Sequence, residues 1–202
     1  QQEQQENNNK MLNDKESYLN LIGEGDDLLD GKKYSESISK YKEALKFEDL
    51  YSGTEYASHF NKNVSGRISS AKQQQEENDK ESYLVLVKDG DALLADKKYS
   101  ESISKYNEAL VYEQKYSGTG YASHFNSNVK AKISSAKQQQ KQQENNNKML
   151  NDKESYLVLV KAGDALLADK KYSESISKYN DALVYEQKYS GTGYASHFNS
   201  NV

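Results

Sequence analysis

The sequence predicts an all-α protein. Tandem helical hairpins are joined by long connecting helices into an elongated, solenoid or filament-like array. Three observations lead there. Only 35% of the 202 residues are apolar, 29% are charged and the mean hydropathy is −1.05. An ordinary globular domain is roughly 45–50% apolar, and one compact globe of this length needs a deeper core than this chain can fill. The chain also repeats itself, and its apolar residues recur at helical spacing with no Pro anywhere.

The repeat organises everything else. Asn13-Asp-Lys-Glu-Ser-Tyr18 recurs at Asn78 and Asn151, so the copies start 65 and 73 residues apart. Residues 78–129 and 151–202 differ only at Asp89 against Ala162 and Glu108 against Asp181; residues 13–64 are a more diverged copy. The eight extra residues lie in a polar connector, and residues 1–12 repeat 139–150 except for Glu3 in place of Lys141. The expected organisation is a polar connector over 1–12, a first repeat over 13–77, a second over 78–150 with a long Gln/Asn-rich connector, and a truncated third over 151–202. Both ends fall inside a repeat, and the expectation is a window on a longer array.

Within the middle copy, Asn78 with Glu81 resembles a capping box. Tyr83, Leu86, Val87, Gly90, Leu93 and Leu94 follow helical spacing. Lys97-Lys98 marks a turn. Tyr99, Ser102, Ile103, Tyr106, Ala109 and Leu110 then form a second stripe. The glycines of Ser117-Gly-Thr-Gly120 oppose helix, with Ser117 or Thr119 able to cap the next helix. That third helix is expected to present Tyr121, Phe125, Val129, Ile133 and Ala136 on one face.

Residues 90–110 resemble a tetratricopeptide repeat. Gly25, Gly90 and Gly163 match the glycine at the close packing of that family's paired helices. Tyr34, Tyr99 and Tyr172 match its turn aromatic, and Ser37, Ser102 and Ser175 its first small position. Tyr41, Tyr106 and Tyr179 match the second-helix aromatic; Ala44, Ala109 and Ala182 match the final alanine. The resemblance implies antiparallel helix pairs and a protein-binding role. The chain departs from the family at Asp49, Gln114 and Gln187, where a proline is usual. It also departs in spacing, because the family repeats every ~34 residues. Its added third helix and connector imply no continuous concave groove, and Val87 and Asp91 replace the Lys and Asn with which members hold acidic peptide tails.

No Gly or Pro stands between Gly120 and Gly163, and Gln, Lys, Glu and Met favour helix. The third helix should therefore run through the connector into the next repeat. Eight added residues are about 2.2 turns, or ~12 Å. The asparagines at 145–147 are the place where it would break. A helix polar all round frays unless something lies beside it, so neighbouring protomers or repeats are expected to flank the connector.

Chemistry-bearing residues are few. Without Cys there is no disulfide, thiolate metal site or thiol nucleophile. The net charge of −4, with both signs interspersed, excludes the basic stripe of a nucleic-acid binder. The stretch Tyr83-Leu-Val-Leu-Val87 falls far short of the ~20 apolar residues that span a bilayer. His59, His124 and His197 occur once per repeat, which supplies no converging metal set; packing is the expected role. Ser37-Ile-Ser-Lys40 fits an acyl-transfer S-x-x-K pattern without its companion motifs. Asp89-Gly-Asp91 lacks the alternating oxygens and closing Glu of a calcium loop. Asn63-Val-Ser65 is a glycosylation sequon. The six tyrosines at 34, 41, 99, 106, 172 and 179 follow the apolar stripe and are expected in the core. The candidate contact surface is Tyr51, His59, Phe60, Tyr116, His124, Phe125, Tyr189, His197 and Phe198, because aromatic residues with a polar end suit interfaces; for Tyr51, Tyr116 and Tyr189, packing against the third helix is an equal alternative.

Near-identical copies multiply a surface or a length rather than one active site. The expectation is a non-enzymatic scaffold or filament subunit without cofactor or metal, its partner being itself. A microbial surface fibre is the setting such units suit, so an extracellular or cell-surface location is expected ahead of a cytoplasmic one. A tetratricopeptide-type adaptor for a peptide or protein partner is the second expectation.

Overall fold

The structure is a computed structural model and describes residues 2–199. Among the described residues six α-helices run in order: α1 (Gln2–Asp30), α2 (Tyr34–Tyr51), α3 (Val64–Ala95), α4 (Tyr99–Tyr116), α5 (Val129–Ala168) and α6 (Tyr172–Tyr189). Short 3-10 turns at Ala57–His59, Ala122–Phe125 and Ala195–His197 follow the even-numbered helices. No strand occurs among the described residues. Consecutive helices pair as hairpins, so the chain is an all-α set of tandem helical repeats.

Each hairpin closes with the same turn. Lys33 N–H bonds the Leu28 carbonyl at 2.8 Å and Lys32 N–H the Leu29 carbonyl at 2.9 Å, a Schellman pair. Lys32, Lys97 and Lys170 occupy the left-handed position at φ 57–60°, where glycine is usual. Below the turn the two backbones meet at glycine: an added Cβ at Gly25, Gly90 or Gly163 would lie 2.5 Å from Cε1 of Tyr41, Tyr106 or Tyr179. Ser37 and Ser175 donate their hydroxyls to the Gly25 and Gly163 carbonyls at 2.8 Å, which satisfies the buried oxygens.

The connectors are helical throughout. α3 and α5 each carry one repeat's third helix into the next repeat's first, and α5 passes through the asparagines at 145–147 without interruption. Asn78 is consequently no N-cap: it lies inside α3, and its carbonyl accepts the Ser82 hydroxyl at 3.0 Å. The third helix also starts later than expected. Tyr121 precedes the 3-10 turn and Phe125 ends it; the helix begins at Val129, after Asn128 at φ 54°. Asn63, at φ 53°, caps α3 instead, its Oδ1 accepting from Gly66 N–H at 3.3 Å. The sequon asparagine thus has a structural task.

Contacts divide the chain into two bodies, residues up to 90 with 105–129, and residues 91–104 with those from 130 on. The first has a core in which Tyr18, Ile22, Tyr41, Ala44, Phe60, Ile68 and Ala71 pack together. In the second, Met149, Tyr156, Ala182, Tyr189 and Phe198 do so. The connectors are flanked by their own chain: Gln75 Nε2 donates to Ser35 Oγ at 2.9 Å in the first body and Gln140 Nε2 to Ser100 Oγ at 3.2 Å in the second. Tyr41 and Tyr106 are wholly buried and Tyr34, Tyr99 and Tyr179 half-buried, whereas Tyr172 lies outside the core to which its spacing assigned it.

Candidate contact surface

The loop after each second helix builds one recurring cluster. Its floor is a tyrosine from the first helix. Tyr18 Oη donates to Glu48 at 2.6 Å and accepts the loop's Lys62 N–H at 2.8 Å; Tyr83 does the same with Glu113 (2.8 Å) and Ser127 N–H (2.7 Å). One phenol thereby joins both helices of a hairpin to its loop. Burial first, then the Glu48 carboxylate, pushes the Tyr18 phenol well above its ordinary value.

Above it, two rings stack. Tyr51 lies on Phe60 with centroids 4.1 Å apart, Tyr116 on Phe125 at 4.1 Å, and Tyr189 on Phe198 at 4.3 Å. Their hydroxyls donate to Asp14, Asp79 and Asp152 at 2.6–2.7 Å. Burial and then these carboxylate bonds raise Tyr51 and Tyr189 to about 12. Asp152 is lowered, chiefly by its bond from Lys188 and then by that from Tyr189. The glycines at 53, 118 and 191 take φ 75–77° to turn the chain here, while Thr54 and Thr119 bridge to the Tyr51 and Tyr116 carbonyls.

Six of the nine residues expected to form a contact surface therefore face inward. Tyr51, Phe60, Tyr116, Phe125, Tyr189 and Phe198 are buried within their own repeat, because stacking and a nearby carboxylate satisfy both the ring and its hydroxyl. The histidines do the reverse. His59, His124 and His197, expected to be packed, lie exposed at the rim. His59 and His197 approach Lys15 and Lys153 at 3.3 and 3.4 Å, but His124 Nδ1 meets Glu76 Oε1 at 2.5 Å.

That difference traces to connector length. Two residues before the repeat's opening Asn stand Met11 and Met149, both buried; the short connector puts Glu76 there, 4% exposed. A carboxylate in an apolar niche needs a partner, and His124 provides it. Tyr56 and Tyr194 donate to Asn8 and Asn146, holding connector and loop together in the flanking repeats. Nothing in the sequence pattern separated these roles, because Asn8 and Asn146 are anonymous members of an Asn run.

The remaining chemistry-bearing motifs are structurally engaged. Asp91 pairs with Lys132 at 2.6 Å, and Ser37 of the S-x-x-K run is buried against Gly25. Among the described residues no cluster of three His, Cys, Asp or Glu is placed to hold a metal, and no helix is long and apolar enough to cross a membrane. No protein-family model, curated protein or solved structure matches the chain.

Proposed function

We propose that this chain is a non-enzymatic structural repeat protein, a self-associating scaffold or filament subunit whose helices set the spacing of its contact points. The observation that carries this reading is the recurrence of apolar residues left outside at matching places. Val111 and Val184 are 60% and 61% exposed; Leu84 and Leu157, and Val85 and Val158, are about half exposed or more. A single exposed Leu or Val means nothing. The same ones repeated in each body give the chain more than one copy of a weak contact, and linked weak contacts add as avidity. A heterologous contact of that kind, when it does not close, propagates as a fibre, and a microbial surface fibre is the setting that fits it. The buried S-x-x-K serines and the paired Asp91 leave these motifs to structure rather than turnover.

Sedimentation velocity over a range of concentrations tests it. Growth in size with concentration is expected, and Val111→Asp with Val184→Asp should remove it. A monodisperse monomer at every concentration would overturn self-association and favour a tetratricopeptide-type adaptor for a peptide partner.

A further inference from the structure

The three histidines hold one position of the repeat, and all three are exposed at the rim. Their neighbours differ in charge. Lys15 Nζ stands 3.3 Å from His59 Nδ1, and Lys153 Nζ 3.4 Å from His197 Nδ1. A lysine ammonium can only donate, so in both rings Nδ1 accepts and the proton sits on Nε2. His124 Nδ1 meets Glu76 Oε1 at 2.5 Å instead. A carboxylate can only accept, so here Nδ1 carries the proton and Nε2 keeps its lone pair. The charge of the partner thus assigns opposite tautomers to rings at equivalent places.

Two further differences sharpen the contrast. Glu76 is 4% exposed, in a niche that Met11 and Met149 fill elsewhere, while the His124 side chain is 42% exposed. The ring has a buried base on one nitrogen and no bond from the other among the described residues. The short connector also leaves this rim less tied. Tyr56 and Tyr194 bond Asn8 and Asn146, but Gln73, at the place of those asparagines, turns to Glu77 at 3.1 Å. Tyr121, 36% exposed, keeps its ring 6.3 Å from that of His124.

We propose that the Glu76–His124 pair is an acyl-accepting site, a place of covalent modification by an activated acyl donor of the anhydride or aryl ester class. The Nε2 lone pair attacks the carbonyl carbon. An N–C bond forms, the bond from that carbon to the leaving oxygen breaks, and the leaving group departs with the electron pair. The Nδ1 proton passes to Glu76, which leaves a neutral N-acylimidazole beside a neutral carboxyl. An apolar niche holds a neutral carboxyl at less cost than a charged one, so the niche favours that transfer. His124 is the nucleophile and Glu76 the base that activates and positions it. His59 and His197 lack such a base, and their lone pairs face an ammonium. The modification is stoichiometric, one group per His124. It goes beyond the proposed structural role and does not depend on self-association.

Diethyl pyrocarbonate, an anhydride, provides the probe. The 202-residue chain is treated with a limiting amount at a pH of about 8, where ordinary imidazoles are uncharged. Peptide mass mapping reads the rate at each histidine. His124 should react at least ~10-fold faster than His59 or His197, the effect of one hydrogen bond to a charged group in the transition state. Glu76→Gln keeps the shape and an accepting oxygen but cannot take up the proton. His124 should then fall to the rate of the other two, with helical circular dichroism unchanged. Met11→Glu places a carboxylate at the matching position of the first repeat and should speed His59 alone. Unfolding would speed all three rings alike, so the two causes separate.

Equal rates at the three histidines overturn the proposal. So does a His124 rate that Glu76→Gln leaves unchanged, which makes exposure its only cause. A His59 rate that Met11→Glu does not raise overturns it too, because the carboxylate is then not what activates the ring.

Discussion

The ring of Tyr106 occupies the space that a side chain at Gly90 would need, with Cε1 2.5 Å and Cδ1 2.6 Å from where a Cβ would stand. Tyr106 is wholly buried, so the ring has nowhere to go. Gly23, also in a helix, has nothing within 4 Å of its Cβ position. The two glycines should respond to alanine with opposite signs. Gly90→Ala is expected to destabilise by about 1–2 kcal/mol, overpacking outweighing the gain in helix propensity. Gly23→Ala should stabilise by about 0.5–1 kcal/mol. Chemical denaturation of both variants checks the contrast, and equal shifts would refute close packing at the glycine.

Lys97 sits at φ 60° in the turn between α3 and α4. A side chain there is strained by roughly 1 kcal/mol, and glycine relieves the strain without losing the turn's backbone bonds. Lys97→Gly should therefore raise the denaturation midpoint. A fall would mean that the lysine side chain contributes a contact outweighing the strain.

Glu76 and His124 form the one carboxylate–imidazole pair, among the described residues, whose acid is buried beneath the rim. Met11 and Met149 occupy the matching niches. A carboxylate is costly to bury in an apolar niche, so Glu76→Met, which places there the side chain that the flanking repeats use, should leave stability unchanged or raise it by about 1 kcal/mol. His124→Ala should cost more than His59→Ala, because it leaves the Glu76 carboxylate buried without its partner. Thermal melts of the three variants decide this.

The stacked tyrosines make the fold sensitive to alkali. Their folded pKa values lie above the ordinary value of 10.0 and reach about 12 for Tyr51 and Tyr189. A raised tyrosine contributes stability that is whole below pH 10 and is lost as pH rises through 10 toward 12. Phenolate absorbance should show a delayed class of tyrosines titrating together with loss of helical circular dichroism. Tyr51→Phe, which keeps the stack and removes the hydroxyl, should flatten the pH dependence. Asp152 acts at the other end: its lowered value gives stability that is present above the ordinary carboxyl range and lost as pH falls through it. Titration of every tyrosine near 10 with helicity unchanged would refute the buried cluster.

Periodicity made the hairpins legible, since Tyr83, Val87 and Gly90 on α3 and Ser102, Tyr106 and Ala109 on α4 are all buried. The continuity of α3 and α5 was legible from the good helix formers of their connectors and the lack of Pro. Capping chemistry misled at Asn78, because a local Asn-x-x-Glu pattern has no force where an unbroken run of good helix formers, residues 71–77, precedes it. The start of the third helix was misplaced for the opposite reason: Asn63 and Asn128 adopt a left-handed conformation that an apolar stripe does not reveal. Stacking of Tyr51 on Phe60 is a tertiary event between helix and loop, invisible to spacing, which left packing and contact equally open for this tyrosine.

The continuity of the connecting helix carries the whole reading of repeats held at set spacing. The chain has no Cys, so Lys130→Cys with Lys161→Cys gives two unique sites for spin labels on exposed positions of α5. Pulsed dipolar spectroscopy should return one narrow distance distribution centred near 46 Å, the length of 31 residues at ~1.5 Å each. A broad distribution at shorter distances, marking a break across the asparagines at 145–147, would contradict it.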